Sequence, residues 1–190
     1  MDTYEQMNRE TRGNIESGFI NILKEKSFRK TTIQDISNAA QVNRSTFYHH
    51  YLDKYDLCEQ MIKEMLLELE TLLNNIDHHE LITQMDDDSK VYCYTIFHFI
   101  EEHQDTFKVL VDADLPFNFL RHLKKLLMQQ FNQTSIKLFE SSGIPETYIA
   151  NFAASALLGL VEAWMDEDFK DSSETVTQYF LDIIQTIRTI

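Results

Sequence analysis

Apolar side chains recur at helical spacing along most of the chain. Ile15, Phe19, Ile22 and Leu23 fall at i, i+4, i+7 and i+8, which predicts a first helix running to about Lys26. Ile33 to Ala40 reads as a short helix with Thr32 as its N-cap and Asp35 three residues on, a partial capping-box spacing. The break Gln41-Val42-Asn43 precedes a second short helix, Arg44 to Tyr51, with Asn43 placed to cap it. Leu57, Met61, Met65, Leu69, Leu72, Leu73 and Ile76 mark a long amphipathic helix entered near Asp53. The polar stretch from His78 to Asp88 reads as a loop. Lys90–Gln104, Thr106–Asp112 and Phe117–Phe139 carry further helical patterns. Ser141-Ser142-Gly143-Ile144-Pro145 is a stop and restart, with glycine to end one helix and proline at N1 of the next. From Pro145 to about Met165 the pattern is apolar on nearly every face, with Glu162 the only charge after Tyr148. A last helix repeats Val176, Tyr179/Phe180, Ile183/Ile184, Ile187 and Ile190. The expected fold is all-α, with about nine helices and no strand. An N-terminal helix-turn-helix domain would span residues 1–55, and a larger C-terminal helical domain for dimerisation and regulation would span residues 56–190.

Composition narrows the function classes. Four glycines and two prolines in 190 residues are too few for the tight turns of a strand-rich fold. Gly13, Gly18, Gly143 and Gly159 stand singly, so no glycine-rich phosphate cradle is present. No Ser/His/Asp or Cys/His constellation stands out, and an enzyme is not expected. His78-His79-Glu80 with Asp86-Asp87-Asp88 lacks the rigid ligand spacing of a metal site and reads as a solvated loop, so neither a metal nor a cofactor is expected. Cys58 and Cys93 sit in apolar helical patterns and read as buried thiols in a reducing cytoplasm. The polar Met1–Gln6 start has no apolar signal segment, and the apolar run Phe152–Val161 is too short to span a bilayer, so no membrane partner is expected.

A net charge of −14 argues against a nucleic-acid partner until it is divided along the chain. Residues 1–60 carry a net −1 and residues 61–190 a net −13, while Lys24–Lys54 carries +3. That basic stretch coincides with the two short helices, whose three-residue separation is the geometry of a helix-turn-helix. Phe47 and Tyr51 would pack inward, leaving Arg44, Ser45, Thr46, Tyr48 and His49 outward, a set able to reach bases and phosphates. Thr32 and Lys54 would meet backbone phosphates from the flanks. On spacing alone, a helical hairpin with a solvated polar face fits as well.

The run Thr31-Thr32-Ile33-Gln34-Asp35-Ile36-Ser37-Asn38-Ala39-Ala40-Gln41-Val42-Asn43-Arg44-Ser45-Thr46-Phe47-Tyr48-His49-His50-Tyr51-Leu52-Asp53-Lys54-Tyr55-Asp56-Leu57 resembles the DNA-binding signature of TetR/AcrR-type transcriptional regulators. The strong part of the resemblance covers residues 10 to 60. It implies an operator-binding homodimer, with Thr32, Asn43, Arg44, Ser45, Thr46, Tyr48, His49 and Lys54 at the positions that meet DNA. Two of the family's usual glycines are replaced by Ser27 and Gln41, and Asn43 stands for a serine cap. A left-handed backbone at a residue with a Cβ costs about 1–2 kcal/mol.

The same resemblance implies pairing through the last two helices, and the all-round apolar helix suits burial on two sides. Phe152, Ala153, Ala156, Leu157, Leu160, Trp164, Phe180, Ile184 and Ile187 are the expected interface, although burial inside one monomer would give the same pattern. Tyr92, Cys93, Phe97, Phe107, Phe119, Met128 and Phe131 could line an effector pocket or form plain core. Phe152–Met165 also resembles a subgroup containing the dihydroxyacetone-kinase regulator, some of whose members are activators working through a partner protein. The expected function is therefore a transcriptional regulator, by default a repressor. A small-molecule effector would modulate it, or alternatively a protein partner of its C-terminal domain.

Overall fold

The computed structural model describes residues 3–76, 88–112, 114–133 and 143–189. Nine α-helices and no strand occur among them: α1 (Thr3–Glu25), α2 (Ile33–Ala39), α3 (Arg44–His50), α4 (Lys54–Asn74), α5 (Asp88–Glu102), α6 (Gln104–Asp112), α7 (Phe119–Gln133), α8 (Glu146–Asp166) and α9 (Ser173–Thr189). A single 3-10 turn, Phe28–Lys30, joins α1 to α2. The all-helical reading holds. Pro145 stands at the N-cap of α8, one position before the expected N1. The polar loop His78-His79-Glu80 with Asp86-Asp87-Asp88 and the expected helix end up to Phe139 lie outside the described residues.

Two compact units divide the chain, and the boundary differs from residue 55. The first comprises residues 1–65 together with 105–119; the second comprises 66–104 and 120–190. The first unit thus includes a segment, 105–119, distant in sequence from the rest of it, which local sequence does not record.

In the first unit Ile15, Phe19, Phe28, Ile36, Phe47, Tyr51 and Leu57 are buried. Phe28 is the hub, its ring edge-on to Phe19 and to Tyr55 with centroids 6.1 and 5.1 Å away. Gly18 lets α1 touch the end of α2: a Cβ there would stand 2.8 Å from the backbone nitrogen of Ala40. In the second unit Phe97 of α5 meets Trp164 of α8 and Phe180 of α9, each at 6.1 Å. The Glu101 carboxylate accepts from the backbone N–H and hydroxyl of Ser173, placing negative charge at the start of α9, where the helix dipole favours it.

The turns after α2 and α8 share one design. After α2, Val42 N–H donates to the Ser37 carbonyl and Gln41 N–H to that of Asn38; after α8, Phe169 N–H donates to Trp164 and Asp168 N–H to Met165. Both are Schellman closures, which need a left-handed residue just past the cap. Gln41 (φ 57°) and Asp168 (φ 59°) fill that position without being glycine. Ser27, by contrast, has an extended backbone (φ −60°) and no such demand.

Candidate nucleic-acid and subunit interfaces

The expected helix-turn-helix forms. Thr32 and Asp35 make the complete capping box: Asp35 N–H donates to the Thr32 hydroxyl at 3.2 Å, and Thr32 N–H donates to the Asp35 carboxylate at 2.8 Å. Lys26 pairs with the same carboxylate. The Lys26 and Thr32 donors hold the Asp35 carboxyl at about 2, below its ordinary 3.8. The Thr32 hydroxyl also donates to Asp35 at 2.6 Å, so its proton is already committed to the cap.

The α3 helix shows the expected two sides. Phe47 and Tyr51 are buried, while Asn43, Arg44, Ser45, Tyr48 and His49 are exposed and Thr46 is half-buried. Arg44 leans on Tyr48, its Nη2 3.4 Å from the hydroxyl and its guanidinium 6.0 Å from the ring centroid. Asn43 occupies the N-cap position but makes no side-chain cap hydrogen bond, which corrects its expected capping role. Its extended backbone supplies only the carbonyl that Phe47 N–H meets at 3.1 Å.

The inner side of α3 is tied to α1 and α4 by a network that sequence reading missed. The Tyr51 hydroxyl donates to Glu16 at 2.6 Å and accepts from Arg12 Nε at 3.1 Å, while Arg12 also pairs with Glu64. Burial, with Glu16 adding to it, pushes the Tyr51 phenol up, so it stays protonated as a donor. Arg12 and Glu16 stand four apart, the one local signal available. His50 beside this cluster is pushed down by burial, then by His49 and Arg12.

Lys54 departs most from expectation. Its ammonium turns inward, donating to the Phe28 and Thr31 carbonyls at 2.8 Å each and to Arg29 at 3.3 Å. Burial lowers its pKa, with Asp53 opposing. Other cations of the basic stretch also have acidic partners: Lys24 meets Asp105 at 3.0 Å and Arg29 meets Asp114 at 3.1 Å. Arg44 and Lys30 stay exposed with no carboxylate partner among the described residues.

At the other end of the chain the expected interface divides by burial. Ala153, Leu157, Trp164, Phe180 and Ile184 are core of the second unit, which corrects their assignment to an interface. The first three belong to the stripe Ala150, Ala153, Ala154, Leu157, Leu158, Val161 and Trp164 that α8 turns inward, and Phe180 and Ile184 are buried positions of α9. Phe152 and Ile187 are exposed, and Ala156 and Leu160 half-buried. The open face further includes Tyr148 (70% exposed), Tyr179 and Ile183, with Phe152 at 47%. By length and mean hydropathy (1.3) α8 could cross a membrane, and seven of its side chains are buried in the second unit.

The expected pocket does not gather in one unit. Phe107 and Phe119 pack on each other at 4.9 Å in the first. Tyr92, Cys93 and Phe97 are buried in the second, where Tyr92 meets the half-buried Phe131 at 5.4 Å and Met128 is also half-buried. The Tyr92 hydroxyl is buried and has no hydrogen-bond partner among the described residues. Cys58 is buried in the first unit as expected. Among the described residues no group of three or more His, Cys, Asp or Glu could hold a metal.

Residues 20–61 match the family model described as "Bacterial regulatory proteins, tetR family". Residues 87–186 match that of a TetR "Transcriptional regulator C-terminal region", just over half of the chain. The chain belongs to the TetR family. Among relatives of this TetR-family regulator is the uncharacterised HTH-type transcriptional regulator YxbF of Bacillus subtilis (strain 168), 21% identical over 92% of the chain. The chain spans 44% of that relative's length. A TetR transcriptional regulator from Streptococcus agalactiae 2603V superposes with a TM-score of 0.64 at 25% identity, covering 95% of this chain and 97% of that one. The dihydroxyacetone kinase operon activator DhaS shares the fold at a TM-score of 0.65 and 14% identity, over 93% and 94% of the two chains.

Proposed function

We propose that this TetR-family regulator is a cytoplasmic repressor that binds a palindromic operator as a homodimer, with α3 of each protomer in the major groove. The observation that carries the reading is the two-sided α3: Phe47 and Tyr51 lock its back, and Arg44, Ser45, Tyr48 and His49 stand outward. A guanidinium, two hydroxyls and an imidazole can hydrogen-bond base edges and phosphates, and the Tyr48 ring can contact a thymine methyl. Thr46 and the Asn43 amide would add contacts from the rim. The exposed apolar face of α8 and α9 supports the homodimer, since side chains such as Phe152 and Ile183 gain by leaving water. No enzymatic role is proposed.

An effector would act by favouring one separation of the two heads. The Tyr92 hydroxyl, which has no partner among the described residues, supports a ligand carrying an acceptor, because a buried donor left unpaired costs about 1–3 kcal/mol. The alternative, an activator controlled by a protein partner, is supported by the packing of the buried Phe97 ring on Trp164 and Phe180, each at 6.1 Å, as plain core.

Mobility shift against the DNA upstream of the chain's own coding region tests the reading. The wild type should retard that fragment, and Tyr48→Ala should weaken the shift at least about tenfold, a loss of one good base contact, while remaining dimeric. An unchanged shift in Tyr48→Ala would remove α3 as the reading element.

A further inference from the structure

Lys54 opens α4 just past the recognition helix, where a cation would be expected to reach a phosphate. An ammonium has three N–H donors and no acceptor. Here the carbonyls of Phe28, Arg29 and Thr31 take all three, at 2.8, 3.3 and 2.8 Å. The Phe28 ring centroid lies 4.6 Å from the nitrogen and that of Tyr55 5.6 Å, so two aromatic rings flank the half-buried cation. Two of the three carbonyls belong to the 3-10 turn and the other to its C-cap residue; the Phe28 carbonyl also accepts the Thr31 backbone N–H at 3.2 Å.

This cage sits at a junction. Thr31 is buried, and its hydroxyl donates to the Ser27 carbonyl at 3.1 Å, so the turn is pinned from both sides. The next residue is Thr32, whose capping box starts α2. Phe28, under the ammonium, packs on Phe19 of α1. A single point charge thereby fixes the α1–α2 connection against the first turn of α4. We infer that Lys54 is a positioning residue: it holds the start of α2 in register with α1 and α4, setting the angle at which α3 meets DNA, and makes no phosphate contact itself. The inference rests on the DNA-binding reading above.

Arginine separates the two roles. A guanidinium keeps the charge and binds phosphate well, but its planar fork cannot converge on three carbonyls as an ammonium does. The dimer and its operator fragment are titrated at several salt concentrations with the wild type, Lys54→Arg and Lys54→Met. Both variants should keep native helix content at 25 °C. Each should bind about thirtyfold more weakly, the loss expected from hydrogen bonds to a charged group, with the wild-type slope of log K against log salt. Overturning results are Lys54→Arg within about threefold of wild type, or a Lys54→Met slope shallower by about 1.8, the release expected from one phosphate per protomer. Variants that lose thermal stability yet bind normally also overturn it. On the wild type alone, the ammonium signal in proton–nitrogen NMR should be visible without DNA and unmoved when operator is added. A signal that emerges only with DNA overturns the inference. If the wild type shifts no DNA at any salt, the DNA-binding reading itself falls, and this inference with it; wild-type binding alongside a normal Lys54→Arg removes the inference alone.

Discussion

The outward sides of α3 and of the α8/α9 pair are built by opposite rules. Around α3, polar groups are used first by the fold. Lys54 goes to carbonyls, Thr32 and Asp35 to each other, and Arg12, Glu16, Tyr51 and Glu64 to one network. What stays outward, Arg44 and its neighbours, is the polar remainder. Along α8, apolar groups are used first: seven side chains fill the core, and Tyr148 and Phe152 are the apolar remainder. A surface suited to a partner is thus what a fold leaves over of the chemistry it otherwise consumes. Counting residue types along the chain cannot find it, because the consumed and the remaining groups are of one kind.

The largest expected effect breaks the apolar half of this comparison. Phe152→Glu combined with Ile183→Glu should leave the monomer folded, because both side chains are exposed. Sedimentation should then report a monomer. Operator affinity should fall at least about a hundredfold, since two unpaired carboxylates per protomer would have to be buried. Leu157→Ala, five residues further along α8 and on its inner face, should behave in the opposite way. It should cost about 2–5 kcal/mol of stability as a core cavity, with assembly retained until the protein melts. Equal behaviour of the two variants would erase the distinction between inner and outer stripes.

That distinction marks the limit of what the sequence discloses. The α2–α3 pair is legible because its determinants are local: a cap at Thr32, a partner three residues on, and Phe47 and Tyr51 four apart on one face. On α8 apolar residues surround the axis, so periodicity has no phase and cannot choose between Phe152 and Leu157. The partners of Lys54 lie 23 to 26 residues back and exist only once the turn has folded. The missing cap bond at Asn43 is equally invisible, since both its residue type and its N-cap position are those of a capping residue. Gln41 is the reverse case. The replaced glycine pointed to a left-handed backbone, and φ is 57° there.

Next in size is the contact that sets the pose of the polar half. A Cβ at Gly18 would meet the Ala40 backbone at 2.8 Å, and backbone cannot swing aside as a side chain can. Gly18→Ala should therefore cost about 1–3 kcal/mol in denaturant unfolding, as overpacking does. It should also weaken operator binding, because α2 carries α3 with it. Unaltered stability would mean that α1 and α2 stand further apart than described.

The two Schellman turns allow a finer test, one in each half. Gln41→Gly and Asp168→Gly should each stabilise by about 1 kcal/mol, the relief of a left-handed residue bearing a Cβ. Ser27→Gly should not stabilise, its backbone being extended. A gain at Ser27 equal to that at Gln41 would show that the family's glycine pattern, and not the backbone angle, governs stability here.

The smallest effect concerns the Asp35 carboxylate, which Lys26 and Thr32 hold at about 2 against an ordinary 3.8. A carboxyl whose folded value is depressed contributes stability above its unfolded pKa of about 3.9 and loses it as pH falls through the folded value. The contribution of Asp35 should therefore be constant from neutral pH down to about 4.5 and fade between about 4 and about 2. Other carboxylates titrate in the same window, so the wild type alone cannot isolate it. Asp35→Asn removes the titration while preserving shape and one acceptor oxygen. The difference in thermal midpoint between wild type and Asp35→Asn should be level above the window and shrink toward zero within it. A difference that instead grows as the solution is acidified would mean that the carboxylate is a liability in the folded state. The capping box would then owe its geometry to the Thr32 hydroxyl alone.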